Sequence, residues 1–188
     1  GGAANVNNIF SIVGTSVGLG PQSTGTFLWS PAAGLSSTTS NPVAASPMNT
    51  TTYTVVATGP GPAFCSRTAS VLITVNKRPV VTAQPANTVR CVGNTATFTV
   101  GATGTGLTYQ WQESLTGCPG TIWGNLNNGG NISGATSATL QIANVTQLMS
   151  GRGYRCIVNG TCTPFIPPTN VSNCATLTVN PNPVVAIT

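Results

Sequence analysis

The sequence predicts an all-β protein built as two tandem sandwiches, and three observations carry that prediction. Short alternating runs such as ATFTV (96–100), ATLQI (138–142) and ATLTV (175–179) have the two-residue period of half-buried strands. No stretch sustains the 3.6-residue apolar period of an amphipathic helix. A phrase also recurs: residues 74–81 read TVNKRPVV and residues 178–185 read TVNPNPVV, which divides the 188-residue chain into modules of roughly 80–100 residues.

The second module, 79–180, reads strand by strand. Val80–Thr82 and Thr88–Cys91 form a split first strand, Thr95–Val100 the second, and Thr108–Gln112, with Trp111, the third. A hairpin around Gly117–Gly120 leads to Ile122–Trp123, followed by Ala138–Ile142, Gly153–Asn159 and Ala175–Val179. Turn signals such as Gly93-Asn94, Asn128-Gly129-Gly130 and Asn159-Gly160 separate these runs. The first module, 1–78, repeats the layout more loosely. Asn8–Val17 is its second strand, Phe27-Leu28-Trp29 matches Tyr109-Gln110-Trp111, Tyr53–Val56 matches the Tyr154 strand, and Thr68–Val75 is the last. The lead GGAANVN lacks strand character, so this module is expected to lack a first strand of its own. Trp29, Trp111, Trp123, Tyr53 and Tyr154 are assigned to the two cores, with a sugar-stacking platform as the alternative for Trp123.

Seven or so short strands with a tryptophan on the third resemble the immunoglobulin sandwich, and Tyr154, two residues before Cys156, matches its tyrosine corner. The position of that cysteine's usual partner on the second strand falls near Phe98, so the standard bond between the sheets is excluded. Residues 27–59, 105–117 and 133–146 further resemble the Ig-like and PKD-like repeats of very large secreted surface proteins of gliding Gram-negative bacteria. The resemblance covers nearly the whole chain beyond residue 10 and implies an extracellular, adhesive or structural role with no catalytic residues.

Composition narrows the function. Charged residues make up 4% of the chain, with Glu113 the one acid and no Asp or His. General acid–base, nucleophile–base and metal-assisted catalysis draw on groups that this inventory barely contains, so an enzyme is not expected, and neither a metal site nor a cofactor. Six cations, only Lys77 and Arg78 adjacent, give a net charge of +5 too dispersed for a nucleic-acid surface. No apolar run is long enough for a transmembrane helix, and residue 1 reads as lying beyond a processed leader. Six cysteines in a small β-rich chain point to an oxidising, extracellular setting.

An incomplete sandwich leaves backbone groups unpaired and core side chains uncovered, and an added strand repairs both. The tail 181–188 contains such a strand: Pro183, Val184, Val185, Ala186, Ile187 and Thr188 are uncharged and largely β-branched, and they repeat the lead-in Pro79-Val80-Val81-Thr82 of the second module. The expectation is head-to-tail polymerisation of copies of the chain by donor-strand complementation. The acceptor groove would lie between Ile9, Ile12 and Val13 on one side and Val71, Ile73 and Val75 on the other. The bland reading is a linker into a further repeat of a longer polypeptide. Missing edge charges, which normally block strand-to-strand association, favour the polymer.

Cysteines are odd in number in each module: Cys65 in the first, and Cys91, Cys118, Cys156, Cys162 and Cys174 in the second. Sandwich geometry suggests Cys91–Cys156 across the core and Cys162–Cys174 across the last loop. Cys65 and Cys118 are left for an intersubunit bond, or as free thiols. Asn49, Asn131, Asn144, Asn159 and Asn170 each begin an N-x-S/T triplet and are candidate sites for covalent glycans. The rival function is an adhesin fragment that binds carbohydrate or protein through loops, notably Thr163–Val171.

Overall fold

The computed structural model describes residues 10–12 as backbone, and residues 25–60, 65–162 and 170–184 in full. The chain divides into two compact units, Gly1–Asn76 and Lys77–Thr188. In the first unit, β1 (Phe10–Ile12) pairs antiparallel with β3 (Val43–Ala45), with Phe10 opposite Ala45 and Ile12 opposite Val43. Strands β2 (Thr26–Ser30), β4 (Thr51–Thr58) and β5 (Ser66–Ile73) make a three-stranded sheet in that spatial order, antiparallel throughout. Trp29, Val43, Ala45, Tyr53, Val55 and Ile73 form the core between the two sheets.

Both large aromatics in this core find partners for their polar ends, as buried Trp and Tyr require. Trp29 Nε1 donates to the Ser40 carbonyl at 3.0 Å, and the Tyr53 hydroxyl donates to the Ala33 carbonyl at 2.6 Å. The Tyr53 bond spans twenty residues and so ties β4 to the loop after β2.

The second unit contains β6 (Val80–Ala83), β7 (Thr88–Cys91), β8 (Ala96–Thr99), β9 (Gly101–Thr103), β10 (Thr108–Ser114), β11 (Gly124–Asn125), β12 (Ile132–Ser133), β13 (Thr139–Ile142), β14 (Gly153–Asn159) and β15 (Ala175–Asn180). A single 3-10 turn lies at Gln147–Met149, and no α-helix occurs among the described residues. One sheet runs β11-β10-β14-β15-β7 and the facing one β12-β13-β8, while β6 pairs antiparallel with β9. The expected split first strand is present as β6 and β7, and β7 lies parallel to β15. Inward positions of both sheets, among them Phe98, Trp111, Leu140, Tyr154, Val158 and Leu177, close the core of this unit. Phe98 stacks on Tyr154 with ring centres 4.8 Å apart and leans toward Trp111 at 6.3 Å, filling the place a bridging cysteine would occupy.

Three sequence expectations fail in this unit, each for a physical reason. Tyr154 does not make the upstream backbone bond. Its hydroxyl donates to Glu113 Oε1 at 2.8 Å, because Glu113 is its cross-strand partner on β10. Arg152 Nη1 reaches the same oxygen at 3.1 Å, so the chain's one acid joins a cation and a buried phenol. Burial and the bond to Glu113 both push the Tyr154 phenol well above its ordinary range. Trp123 is not core. The hairpin strand begins one residue later, at Gly124, and Trp123 lies half-buried with the Arg155 guanidinium 4.2 Å above its ring.

The cysteine pairing differs as well. Cys118 and Cys174 are bonded to each other, with Cα atoms 5.7 Å apart, so neither is available for the expected Cys65–Cys118 or Cys162–Cys174 bonds. The bond ties the loop after β10 to the residue just before β15. Cys91–Cys156 fails by topology: β7 and β14 belong to the same sheet with β15 between them, a spacing of ~10 Å that exceeds disulfide reach. Cys65, Cys91, Cys156 and Cys162 carry free thiols.

Candidate functional site

Among the described residues, the outer edge of β5 is left without a partner strand. Cross-strand partners share a face, so β4 sorts the side chains of β5: Ile73 lies opposite Thr51, Val71 opposite the buried Tyr53, and Ala69 opposite the buried Val55. Ala69, Val71 and Ile73 therefore point toward the core side. Ile73 is buried, yet Ala69 is exposed and Val71 keeps 37% of its surface in water. Inward-pointing residues beside a packed Tyr53 and Val55 stay wet, and no strand among the described residues covers them from the edge. Among the described residues, β5 pairs with β4 alone. At the equivalent position of the second unit, β15 is flanked by β7, and its inward residues Ala175, Leu177 and Val179 are all buried.

Backbone polarity tells the same story. Alternate residues of a strand direct both N–H and C=O to the same side. Val75 N donates to Thr50 Oγ1 at 3.0 Å, on the β4 side, which turns Thr74 and Asn76 toward the open edge. By the same alternation Thr68, Ser70 and Leu72 face outward from the sheet edge. No charged side chain extends from β5 except Arg67, so the charges that normally protect an edge are nearly absent.

Of the predicted acceptor residues, Val71, Ile73 and Val75 lie on this edge, with Val75 half-buried. Ile12 is placed in β1 opposite Val43, while Ile9 and Val13 lie outside the described residues. Pro183 and Val184 follow β15 without strand structure, and Val184 keeps 93% of its surface exposed. Val185, Ala186, Ile187 and Thr188 lie outside the described residues, as do 163–169 of the proposed binding loop. Asn49 and Asn144 are exposed and Asn131 and Asn159 half-buried, whereas Asn170 is buried and unsuited to carry a glycan in the folded unit.

Chemistry at the other reactive groups is limited. Among the described residues no group of three or more His, Cys, Asp and Glu is placed to hold a metal, and no helix is long and apolar enough to cross a membrane. Burial pushes the Cys156 thiol from its ordinary 9.0 up to about 11. Thiol alkylation of the folded protein should therefore modify the exposed Cys65 and Cys91 and spare Cys156. The folded thiol holds its proton longer than the unfolded one. Its contribution is constant below the unfolded value and is lost as pH rises from 9.0 to about 11, which unfolding midpoints across that window will show. Equal labelling of Cys156 and Cys65 in the folded state contradicts this burial.

The sequence did not reveal that Leu115 and Ile122, 72% and 76% exposed, flank a groove of about 410 Å³ beside Glu113 and Leu126. It also did not reveal that Asn125, Gln112 and Arg155 form a hydrogen-bonded row on the outer face of β11, β10 and β14.

No protein family's sequence pattern matches the chain, and neither does any curated protein. Solved structures of tandem Ig domains do match in fold. The N-terminal eight Ig domains of Down Syndrome Cell Adhesion Molecule superpose with a TM-score of 0.54 at 15% identity, over 82% of this chain and 20% of that one. Dpr2 Ig1–Ig2 in complex with DIP-Theta Ig1–Ig3 gives 0.53 at 16% identity, over 83% and 57%. Titin domains I67–I69 give 0.52 at 15% identity, over 85% and 56%. This chain thus spans from a fifth to little more than half the length of these structures, and at such identities the likeness is one of fold.

Proposed function

We propose that this chain is a non-enzymatic structural subunit of an extracellular filament, an adhesin-type bacterial surface protein of Ig-like modules. Copies join head to tail by strand addition: residues 183–188 of one enter the open edge of the first unit of the next. The observation that carries this reading is the wet inner face of β5, where Val71 and Ala69 stand beside a packed core with no strand among the described residues over them. Burying one valine fully contributes about 1.5–3 kcal/mol, and each edge hydrogen bond about 0.5–1.5 kcal/mol, so a short strand gains several favourable terms at once. The Cys118–Cys174 bond accords with an oxidising compartment, and glycans at Asn49 or Asn144 would help a nearly uncharged surface stay dispersed.

The test is electron microscopy of the purified chain beside a version lacking residues 183–188. Regular fibres from the first and folded monomers from the second are expected. Fibres from the shortened chain would overturn donation by residues 183–188.

A second reading, adhesion through a binding surface, is favoured by the apolar groove at Leu115 and Ile122, and Ig-domain pairs such as Dpr2 with DIP-Theta show that the fold makes complexes. Substituting both residues by serine should leave fibres intact and abolish only that contact.

A further inference from the structure

The second unit contains a filled copy of the edge that the first leaves open, and the copy dictates how an incoming strand must lie. Ile73-Thr74-Val75-Asn76 and Leu177-Thr178-Val179-Asn180 differ only in their first residue. Both phrases are anchored alike on their inner side: Val179 N donates to Ser150 Oγ at 3.0 Å, as Val75 N does to Thr50 Oγ1 at 3.0 Å. On the outer side of the second unit, β7 runs parallel, with Thr88 beside Leu177 and Cys91 beside Asn180. Asn180 O accepts from Val92 N at 3.0 Å, and Thr176 N donates to Asn87 Oδ1 at 2.8 Å.

In the first unit the equivalents of these outward groups lie on Leu72, Thr74 and Asn76, and no described residue bonds to the backbone of Thr74 or Asn76. The strand itself reflects the difference. β15 continues to Asn180, whereas β5 ends at Ile73, three residues earlier in the shared phrase. The same sequence stays in the sheet where a neighbour pairs with it and leaves where none does.

We propose that the strand donated by a second copy runs parallel to Ile73–Asn76 in the register that β7 holds on β15, bonding to the N–H and C=O of Thr74 and Asn76. This inference rests on the strand-addition reading and adds to it a direction, a register and the atoms involved. The template also sets the side-chain requirement. The donor residue beside Ile73 corresponds to Thr88, which is buried, so a small or β-branched side chain fits there. The next residue corresponds to Val89, which is exposed, so its identity matters little. Residues 184–188 of a second copy meet both conditions, with Val, Val, Ala, Ile and Thr and no charge. A competing placement exists, since 184–187 align in the repeat with β6, which pairs antiparallel with β9 rather than beside β15.

Residue-resolved amide exchange on the full chain, dispersed and assembled, separates these placements. Val75 N–H should exchange slowly in both states, whereas Thr74 and Asn76 N–H should become at least roughly tenfold slower on assembly. Thr74→Pro should abolish assembly with an unchanged unfolding midpoint, because proline is tolerated where an edge N–H has no partner. Assembly without new protection at Thr74 and Asn76 overturns the parallel register and leaves strand donation standing. If the chain neither assembles nor binds an added peptide of residues 181–188, both fail together. Protection at Thr74 that persists after residues 183–188 are removed overturns the named donor alone.

Discussion

Truncating Trp111 to alanine will unfold the second unit under conditions where the parent chain is intact. Trp111 is fully buried between the sheets, lies opposite Cys156 on β14, and leans against Phe98. Its indole N–H donates to the Ser137 carbonyl at 2.9 Å, while its backbone N donates to Ala135 O and its carbonyl accepts from Leu126 N, each at 2.9 Å. Removing the side chain costs about 3–5 kcal/mol for lost burial and the cavity left behind. It also removes the indole bond to the Ser137 carbonyl, for about 0.5–1.5 kcal/mol more. Together these rival the about 5–15 kcal/mol that holds a whole domain folded. Trp111→Phe keeps most of the volume and should lose mainly the hydrogen bond. Denaturant titration followed by fluorescence is informative because Trp29 reports on the first unit separately. A loss under about 1 kcal/mol for the alanine variant contradicts the core assignment.

Removing the Cys118–Cys174 bond is the second large effect. It closes a loop of 56 residues, and the chain-entropy relation assigns a loop of that length about 4 kcal/mol. The bond is also a packing element. A Cβ added to Gly153 would come within 2.7 Å of Cys174 Sγ and 2.9 Å of Cys118 Sγ, so β14 runs directly against the sulfurs. Replacing both cysteines by serine should lower the unfolding midpoint of the second unit and leave the first unchanged. Reductant should do the same to the parent. An unchanged midpoint on reduction contradicts a structural role for the bond.

How far the sequence could be read depended on whether the answer was local. Period-two patterning located β8, β13 and β15, and the first strand of the second unit was read as split, as β6 and β7 are. Phe98 was legible as the substitute for a bridging cysteine because its offset from the strand's turn is fixed. Trp123 was misplaced by one residue of strand register, and in a strand one residue decides which face a side chain takes. The disulfide was illegible for another reason. Cys118 and Cys174 are brought together by the side-by-side packing of β10, β14 and β15, and spacing along the chain does not encode which loops meet. The open edge was partly visible: the repeated Thr-Val-Asn phrase marks it, but only the parallel pairing of β7 with β15 shows which backbone atoms the phrase presents.

The reading stands on one property of the isolated chain, that its first sheet ends in backbone groups facing water. Amide exchange along β5 in a dilute, unassembled sample measures it directly. Val71 and Ile73, on the β4 side, should exchange slowly, while Ser70 and Leu72, which alternate with them, exchange at nearly the rate of an unstructured peptide. Uniform protection along all four would mean the edge is already occupied within a single molecule, leaving a partner's strand nowhere to bind.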